Sequence, residues 1–150
     1  MILNSRLAVR IRQKEGLSYG VGSDFQASAL DKAGTFIASA ISAPQNHAKV
    51  QKAFQEELDK VLANGFSSDE LAAAQSGYLQ SEEVDRSDDG NLASQLAEHL
   101  FDGHTLQWDE QFDAGVKSLT PEQVGMAMKK YIIPNQLVIV GAGDFSKGVS

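Results

Sequence analysis

Residues 5–20 decide the fold of this chain, and they read SRLAVRIRQKEGLSYG. Apolar residues recur every four positions from Leu3 to Ile11, which predicts an opening amphipathic helix. Gly16 is suited to end that helix, because glycine tolerates the left-handed backbone of a helix terminus. From Tyr19 onward the apolar spacing changes to two, which predicts a half-buried strand. The segment therefore predicts a helix that passes through a short turn into a strand.

The rest of the chain predicts one partner strand, several helices and a last strand. Residues 35–42 alternate as an antiparallel partner of the first strand would. Helix starts are marked by Pro44, by the capping-box spacing of Ser67 and Glu70, and by residues 120–123, which read Thr-Pro-Glu-Gln. Two further apolar stripes predict two more helices. They are Leu92, Leu96 and Leu100, and then Trp108, Phe112 and Val116. The apolar run at residues 137–140 predicts the last strand.

This order of elements predicts an α+β fold, with the helices packed on one face of a small, mostly antiparallel sheet. No linker or internal repeat divides residues 1–150, so we expect a single domain. Three strands are few for so many helices, and no strand precedes the first helix. We therefore expect a partial domain, whose first strands are missing and whose sheet keeps an open edge. Such an edge is compatible with a homodimer formed through the sheet.

Composition excludes several classes of function. The formal net charge of -7 opposes nonspecific binding to nucleic acid or to an anionic membrane surface. The absence of cysteine excludes disulfides, thiolate metal sites and a cysteine nucleophile. Apolar runs are too short to span a bilayer. The compartment stays open, because a chain without cysteine suits both the cytoplasm and the periplasm.

Residues 16–20 match the G-x-S-x-G pattern of the nucleophile elbow, with Ser18 in the position of the nucleophile. The elbow requires a strand before the serine and a helix after it, so that the hydroxyl projects from a strained turn. The predicted order here is the reverse. The sequence therefore favours a helix-to-strand turn. A serine esterase that uses Ser18 is a weaker hypothesis than the two given at the end of this section.

No motif in the chain predicts a metal site of its own. The acidic residues 85–90 resemble the start of a calcium loop, but its twelfth position, where a bidentate glutamate is needed, falls on Leu96. The histidines are His47, His99 and His104, and none lies in an H-x-x-E-H or H-E-x-x-H motif. A solvated acidic face and surface or internally satisfied histidines are the expected structures. We expect no catalytic residue, metal ligand or cofactor within this chain.

The segment Ser5-Arg6-Leu7, followed by residues 11–20, resembles a signature in the second half of pitrilysin/insulinase-type zinc peptidases. The likeness continues through the Gly65-Phe66-Ser67 turn and the S-L-T-P-E-Q-V helix, and so covers essentially the whole chain. It implies part of a C-terminal, non-zinc domain with the fold seen in mitochondrial processing peptidase. Such domains face each other around a chamber, with zinc held in the other half by an H-x-x-E-H helix.

The resemblance also implies two substrate-binding residues, carried over by position to Arg12 and Tyr19. Gln13 departs from the family's usual glutamate after the arginine. Donors aimed at the charge that develops on a scissile carbonyl contribute about 3 to 4 kcal/mol each when well placed. Without the resemblance, Arg12 would be interpreted as a helix-end arginine and Tyr19 as a strand aromatic that packs on its neighbour.

The function implied is a non-catalytic, substrate-binding portion of a zinc metallopeptidase, which helps to enclose and polarise a peptide. Its partners would be the zinc-binding half, in the same or another chain, and a peptide substrate. The chain is not expected to be active alone, because it lacks the zinc motif. The second hypothesis is a structural or assembly subunit of the same fold with no peptidase role.

Overall fold

The computed structural model describes residues 1–28 and 30–145. Two strands form an antiparallel hairpin, and they are β1 (Gly20–Ala27) and β2 (Gly34–Ile41). The described residues also form six α-helices, namely α1 (Ile2–Leu7), α2 (His47–Asn64), α3 (Ser68–Ser87), α4 (Asp89–Asp102), α5 (Leu106–Ser118) and α6 (Pro121–Tyr131). None of these helices combines the length and apolar character needed to cross a membrane. The predicted α+β class, mostly helical with a small antiparallel sheet, is confirmed.

The opening helix changes its hydrogen-bonding pattern halfway. After α1 the chain continues as a π-helix over Ala8–Lys14, in which each N–H reaches back five residues instead of four. The bond from the Glu15 N–H to the Arg10 carbonyl, at 3.2 Å, closes this wider turn. Gly16 then adopts a φ of 60° and ends the helix, as predicted.

Side-chain caps begin the later helices where the sequence predicts them. The Ser67 hydroxyl accepts from the Glu70 N–H at the start of α3, while the Glu70 carboxylate accepts from the Ser67 N–H. Thr120 and Gln123 form the same reciprocal pair at the start of α6. Each box satisfies backbone N–H groups that have no partner within the helix.

The buried core lies where α1, its π-helical extension, α2 and the end of α6 meet one face of the hairpin. Its members are Leu3, Leu7, Ile11, Ala53, Leu58, Val61, Phe66 and Ile132. By contrast, α4 and α5 pack chiefly on α3 and leave large apolar side chains exposed, among them Leu100 and Phe101. The core therefore supports the helix-to-strand turn that carries Arg12 and Tyr19.

The strand predicted at residues 137–140 is wrong for the part of the chain that the structure describes. The sheet there has two strands, and residues 137–140 follow a short 3₁₀ turn (Pro134–Gln136) without joining a ladder. A strand needs the backbone of a neighbour to satisfy its N–H and C=O groups. The apolar, β-branched sequence provides the preference for a strand, but no strand of the described residues pairs with it.

Candidate functional site

Arg12 lies on the π-helical turn that precedes Gly16, and its side chain is exposed. It makes no hydrogen bond or ion pair with any other residue among 1–28 and 30–145. Its guanidinium therefore keeps five N–H donors and a permanent positive charge available to a ligand. Single π-helical turns occur often at functional sites, because they shift the side chains that follow relative to a regular α-helix.

Unlike Arg12, the other two arginines of the opening helix, Arg6 and Arg10, form ion pairs with glutamates. Arg6 donates to both carboxylate oxygens of Glu70, at 2.6 and 2.7 Å, and its guanidinium lies 5.4 Å from the centre of the Phe66 ring. Arg10 forms ion pairs with Glu15 and with Glu56 of α2. These contacts fasten the helix to α2 and α3. The sequence does not predict them, because the Arg6 and Glu70 positions are separated by 64 residues.

Glu70 joins two functions in one carboxylate. It caps α3 and accepts a charged, bidentate pair from Arg6, whose hydrogen bond is the largest cause that lowers the pKa of Glu70 to about 2. Burial acts in the opposite direction and is outweighed. A carboxyl with a depressed pKa stabilises the folded state above its unfolded pKa. That stabilisation is lost as the pH falls through about 4 towards 2.

We expect Glu70→Gln to lower the free energy of unfolding at pH 7 by about 1 kcal/mol, because the pair is partly solvent-exposed and screened. The variant should also lose stability less steeply than the parent between about pH 5 and 2, since Gln does not titrate. Urea unfolding at a series of pH values measures both effects. Glu98→Gln is the matched control, since exposed Glu98 makes no ion pair among the described residues. Equal pH profiles for the two variants would contradict the role of Glu70.

Tyr19 lies at the entrance of β1, directly after the turn. Its backbone N–H donates to the Ile41 carbonyl at 2.8 Å, which anchors the residue to the end of β2. The side chain is 77% exposed, and its phenol has no partner among the described residues. A rigid backbone position with a free hydroxyl is the arrangement that a ligand-binding tyrosine requires.

Ser18, between these two residues, has a structural role. It is buried, and its hydroxyl lies 2.6 Å from the Gly20 carbonyl oxygen and 2.8 Å from that of Ile41. The hydroxyl proton is therefore directed at backbone carbonyls, and no histidine is hydrogen-bonded to it in the described residues. The order of helix, turn and strand is the one predicted. This geometry does not support the esterase hypothesis.

The histidines and acidic residues do not assemble into a metal centre in the part of the chain that the structure describes. No group of three or more His, Asp and Glu side chains there could hold an ion. His99 Nε2 lies 3.3 Å from Asp109 Oδ1 in a buried pair between α4 and α5, while the His104 ring stacks on Trp108. The acidic residues 85–90 end α3 and begin α4, where Asp88 serves as the cap.

A family profile and an individual protein are both similar to this chain in sequence. The sequence profile of the Peptidase M16 inactive domain matches residues 2–78. An uncharacterized zinc protease of Streptomyces coelicolor is 30% identical over 123 residues, which cover 81% of this chain and 26% of that protein.

Two solved structures are similar to this fold. The M16 peptidase inactive domain from Pseudomonas fluorescens has a TM-score of 0.73 and 28% identity, covering 85% of this chain and 30% of that one. The periplasmic protease PqqL from Escherichia coli has a TM-score of 0.71 and 26% identity, covering 87% of this chain and 14% of that one.

The chain thus spans about a quarter of the length of the Streptomyces relative that it matches. The profile match covers just over half of the 150 residues and contains the whole helix–turn–hairpin segment. The resemblance that the sequence carries is therefore confirmed at the level of the family. This chain belongs to the M16 zinc peptidase family, as part of its C-terminal, inactive domain.

Proposed function

We propose that this chain is a partial, substrate-binding domain that works with a zinc-carrying catalytic half. In this proposal it encloses an extended peptide and polarises a backbone carbonyl, while hydrolysis takes place at zinc in the partner half. Arg12 and Tyr19 are the residues that contact the peptide. Zinc is assigned to the partner half because the resemblance to zinc peptidases implies an H-x-x-E-H helix there.

The observation that carries the proposal is the contrast between Arg12 and its neighbours on the same helix. Arg6 and Arg10 are both held by glutamates of α2, α3 or the turn, whereas Arg12 is exposed without an ion pair in the described residues. A cation with only a structural role at this helix end would be expected to contact a carboxylate or the last carbonyls. The unpaired guanidinium supports a ligand outside the chain.

The chemistry suits a peptide in extended conformation. Its carbonyl oxygens accept hydrogen bonds, and one of them gains negative charge as water attacks the amide. The Arg12 guanidinium stabilises that charge directly, while the Tyr19 phenol donates one neutral hydrogen bond. Both donors sit on backbone held by the core and by β2, so little ordering is needed when the peptide binds.

Tyr19→Phe tests the proposal with the smallest change in shape. We expect it to lower kcat for a fluorogenic peptide by about 100-fold, with little change in KM, when this chain is assayed with its zinc-loaded catalytic half. The phenol is exposed, so the unfolding transition should not move.

Tyr131→Phe is the matched control, because Tyr131 is similarly exposed but lies at the end of α6. It should turn over peptide like the parent. If Tyr19→Phe also retains full turnover while the two halves still associate, the substrate-binding role is wrong. That result would favour a structural or assembly subunit of the same fold.

A further inference from the structure

Ser18 is a buried serine next to a tyrosine whose ring no other ring orients. Ser18 is 8% exposed, whereas the Tyr19 side chain extends into solvent and is 77% exposed. In the described part of the chain, no aromatic ring or cation lies against the Tyr19 ring. The direction of the phenol therefore depends chiefly on the backbone that carries it.

The backbone at Tyr19 has the two-against-one arrangement of a β-bulge. Gly20 is paired with Ile41 in the register of the hairpin, and the Tyr19 N–H also donates to the Ile41 carbonyl, at 2.8 Å. Two consecutive residues thus face a single residue of β2. A bulge changes the direction of the side chains that it carries, and bulges are frequent beside active sites. The Tyr19 side chain is therefore directed by this local backbone and not by the regular alternation of β1.

The Ser18 hydroxyl spans this bulge on its buried side. Its oxygen lies 2.6 Å from the carbonyl oxygen of Gly20 and 2.8 Å from that of Ile41. The first contact closes a ring of atoms around the backbone of Tyr19. The second contact reaches the carbonyl that also accepts from the Tyr19 N–H. Together they restrain the φ and ψ angles of Tyr19, and with them the direction of its Cα–Cβ bond.

The turn that carries Ser18 is itself held from both sides. The Leu17 N–H donates to the Ile11 carbonyl of the π-helix at 2.9 Å. The Leu17 carbonyl accepts from the Asn46 side chain, in the short turn after β2, at 3.3 Å. The backbone before Ser18 is thus joined to the helix and also to the segment that follows β2. A hydroxyl on such a fixed support can hold the next residue in one place.

The Ser18 hydroxyl does more than satisfy a buried carbonyl. The Ile41 carbonyl already has a donor in the Tyr19 N–H, so its hydrogen-bonding requirement is met without Ser18. The single hydroxyl hydrogen is instead shared between two carbonyls that flank the bulge. What the hydroxyl adds is a restraint on the residue between them.

We propose that Ser18 is a positioning residue for Tyr19, whose hydroxyl holds the bulge so that the phenol meets the carbonyl of a bound peptide in one orientation. The contact with a peptide rests on the proposed function, whereas the restraint on Tyr19 rests on contacts within this chain. Orientation matters because a donor stabilises the developing charge fully only at hydrogen-bond distance from it. Ser18 itself does not touch the peptide.

Residue-resolved hydrogen exchange on the 150-residue chain measures the restraint without any peptidase activity. In Ser18→Ala, exchange of the Tyr19 amide should accelerate by about tenfold or more, because the bulge opens more often. Asn4→Ala is the matched control, since the Asn4 side chain accepts from the Ser23 N–H of β1 at 3.0 Å and its loss also removes one side-chain bond to the hairpin. It should accelerate exchange at Ser23 and leave the Tyr19 amide unchanged.

A double-mutant cycle, assayed with the zinc-loaded catalytic half, connects Ser18 to the phenol. Ser18→Ala should lower kcat for the fluorogenic peptide by about tenfold, with little change in KM. In a Tyr19→Phe background the same substitution should change kcat by less than about twofold, since no phenolic hydroxyl remains to be positioned. Ser18→Thr keeps the hydroxyl and should keep kcat within about threefold of the parent. Asn4→Ala should turn over peptide like the parent.

Three results would overturn the inference. The first is unchanged exchange of the Tyr19 amide in Ser18→Ala. The second is an equal loss of kcat from Ser18→Ala in the parent and in the Tyr19→Phe background, which would mean that Ser18 does not act through the phenol. The third is a loss of kcat in Asn4→Ala as large as that in Ser18→Ala. Failure of the proposed function gives a different result, in which Tyr19→Phe keeps full turnover while Ser18→Ala still accelerates exchange at Tyr19.

Discussion

Replacing Arg12 with alanine is expected to lower kcat for peptide hydrolysis by about 100- to 1,000-fold when the chain acts with its zinc-loaded catalytic half. The guanidinium is permanently charged, so its loss leaves negative charge on the scissile carbonyl without a strong donor. The effect should appear in kcat more than in KM, because that charge develops only in the transition state. Steady-state kinetics with a fluorogenic peptide measures both constants.

Two further variants make this result specific. Lys14→Ala removes an equal charge from the same π-helix and should retain nearly full turnover. Arg12→Lys keeps the charge but loses the planar, forked donors, so partial turnover is expected. Thermal unfolding should be unchanged in all three, since surface substitutions usually alter stability by less than about 0.5 kcal/mol. If Lys14→Ala were as damaging as Arg12→Ala, Arg12 would have no specific contact with the peptide.

The largest loss of stability is expected at Leu58, which lies in α2 with 0% of its surface exposed. Leu58→Ala should lower the free energy of unfolding by about 3 to 4 kcal/mol, through lost burial and the cavity that remains. Domains of this size have total stabilities of about 5 to 15 kcal/mol, so this loss is a substantial fraction of the total. Urea unfolding followed by circular dichroism provides the measurement.

Leu100→Ala is the control with identical chemistry at an exposed position. Leu100 lies in α4 and is 85% exposed, so its truncation should alter stability by no more than about 0.5 kcal/mol. Comparable losses for the two leucines would mean that α4 is buried against something in solution. That outcome would contradict the exposure of Leu100 described above.

Much of the fold could be predicted from sequence because its signals are local. Ser67 and Glu70, like Thr120 and Gln123, are three residues apart and form their capping boxes without help from the rest of the chain. Gly16 likewise ends the opening helix through its own backbone freedom. The positions of Arg12 and Tyr19 on either side of this turn followed from the same local pattern.

What could not be predicted depends on distant partners. Arg6 and Glu70 are far apart in sequence, so no local spacing predicts their ion pair. The π-helical turn leaves apolar residues four apart, as an α-helix also does, and the two could not be distinguished from that spacing. The strand predicted at residues 137–140 was wrong because strand formation depends on a neighbouring backbone as well as on side chains.

The Arg6–Glu70 pair has a consequence for how such chains are recognised. Arg6 lies in the Ser5-Arg6-Leu7 segment that resembles the family signature, and its pair with Glu70 joins the first helix to the third. A homologue in which Arg12 and Tyr19 were replaced would keep the Arg6–Glu70 pair, and its sequence would still match the family. The Ser5-Arg6-Leu7 segment therefore indicates the fold, while under the proposed function the capacity to bind peptides depends on Arg12 and Tyr19.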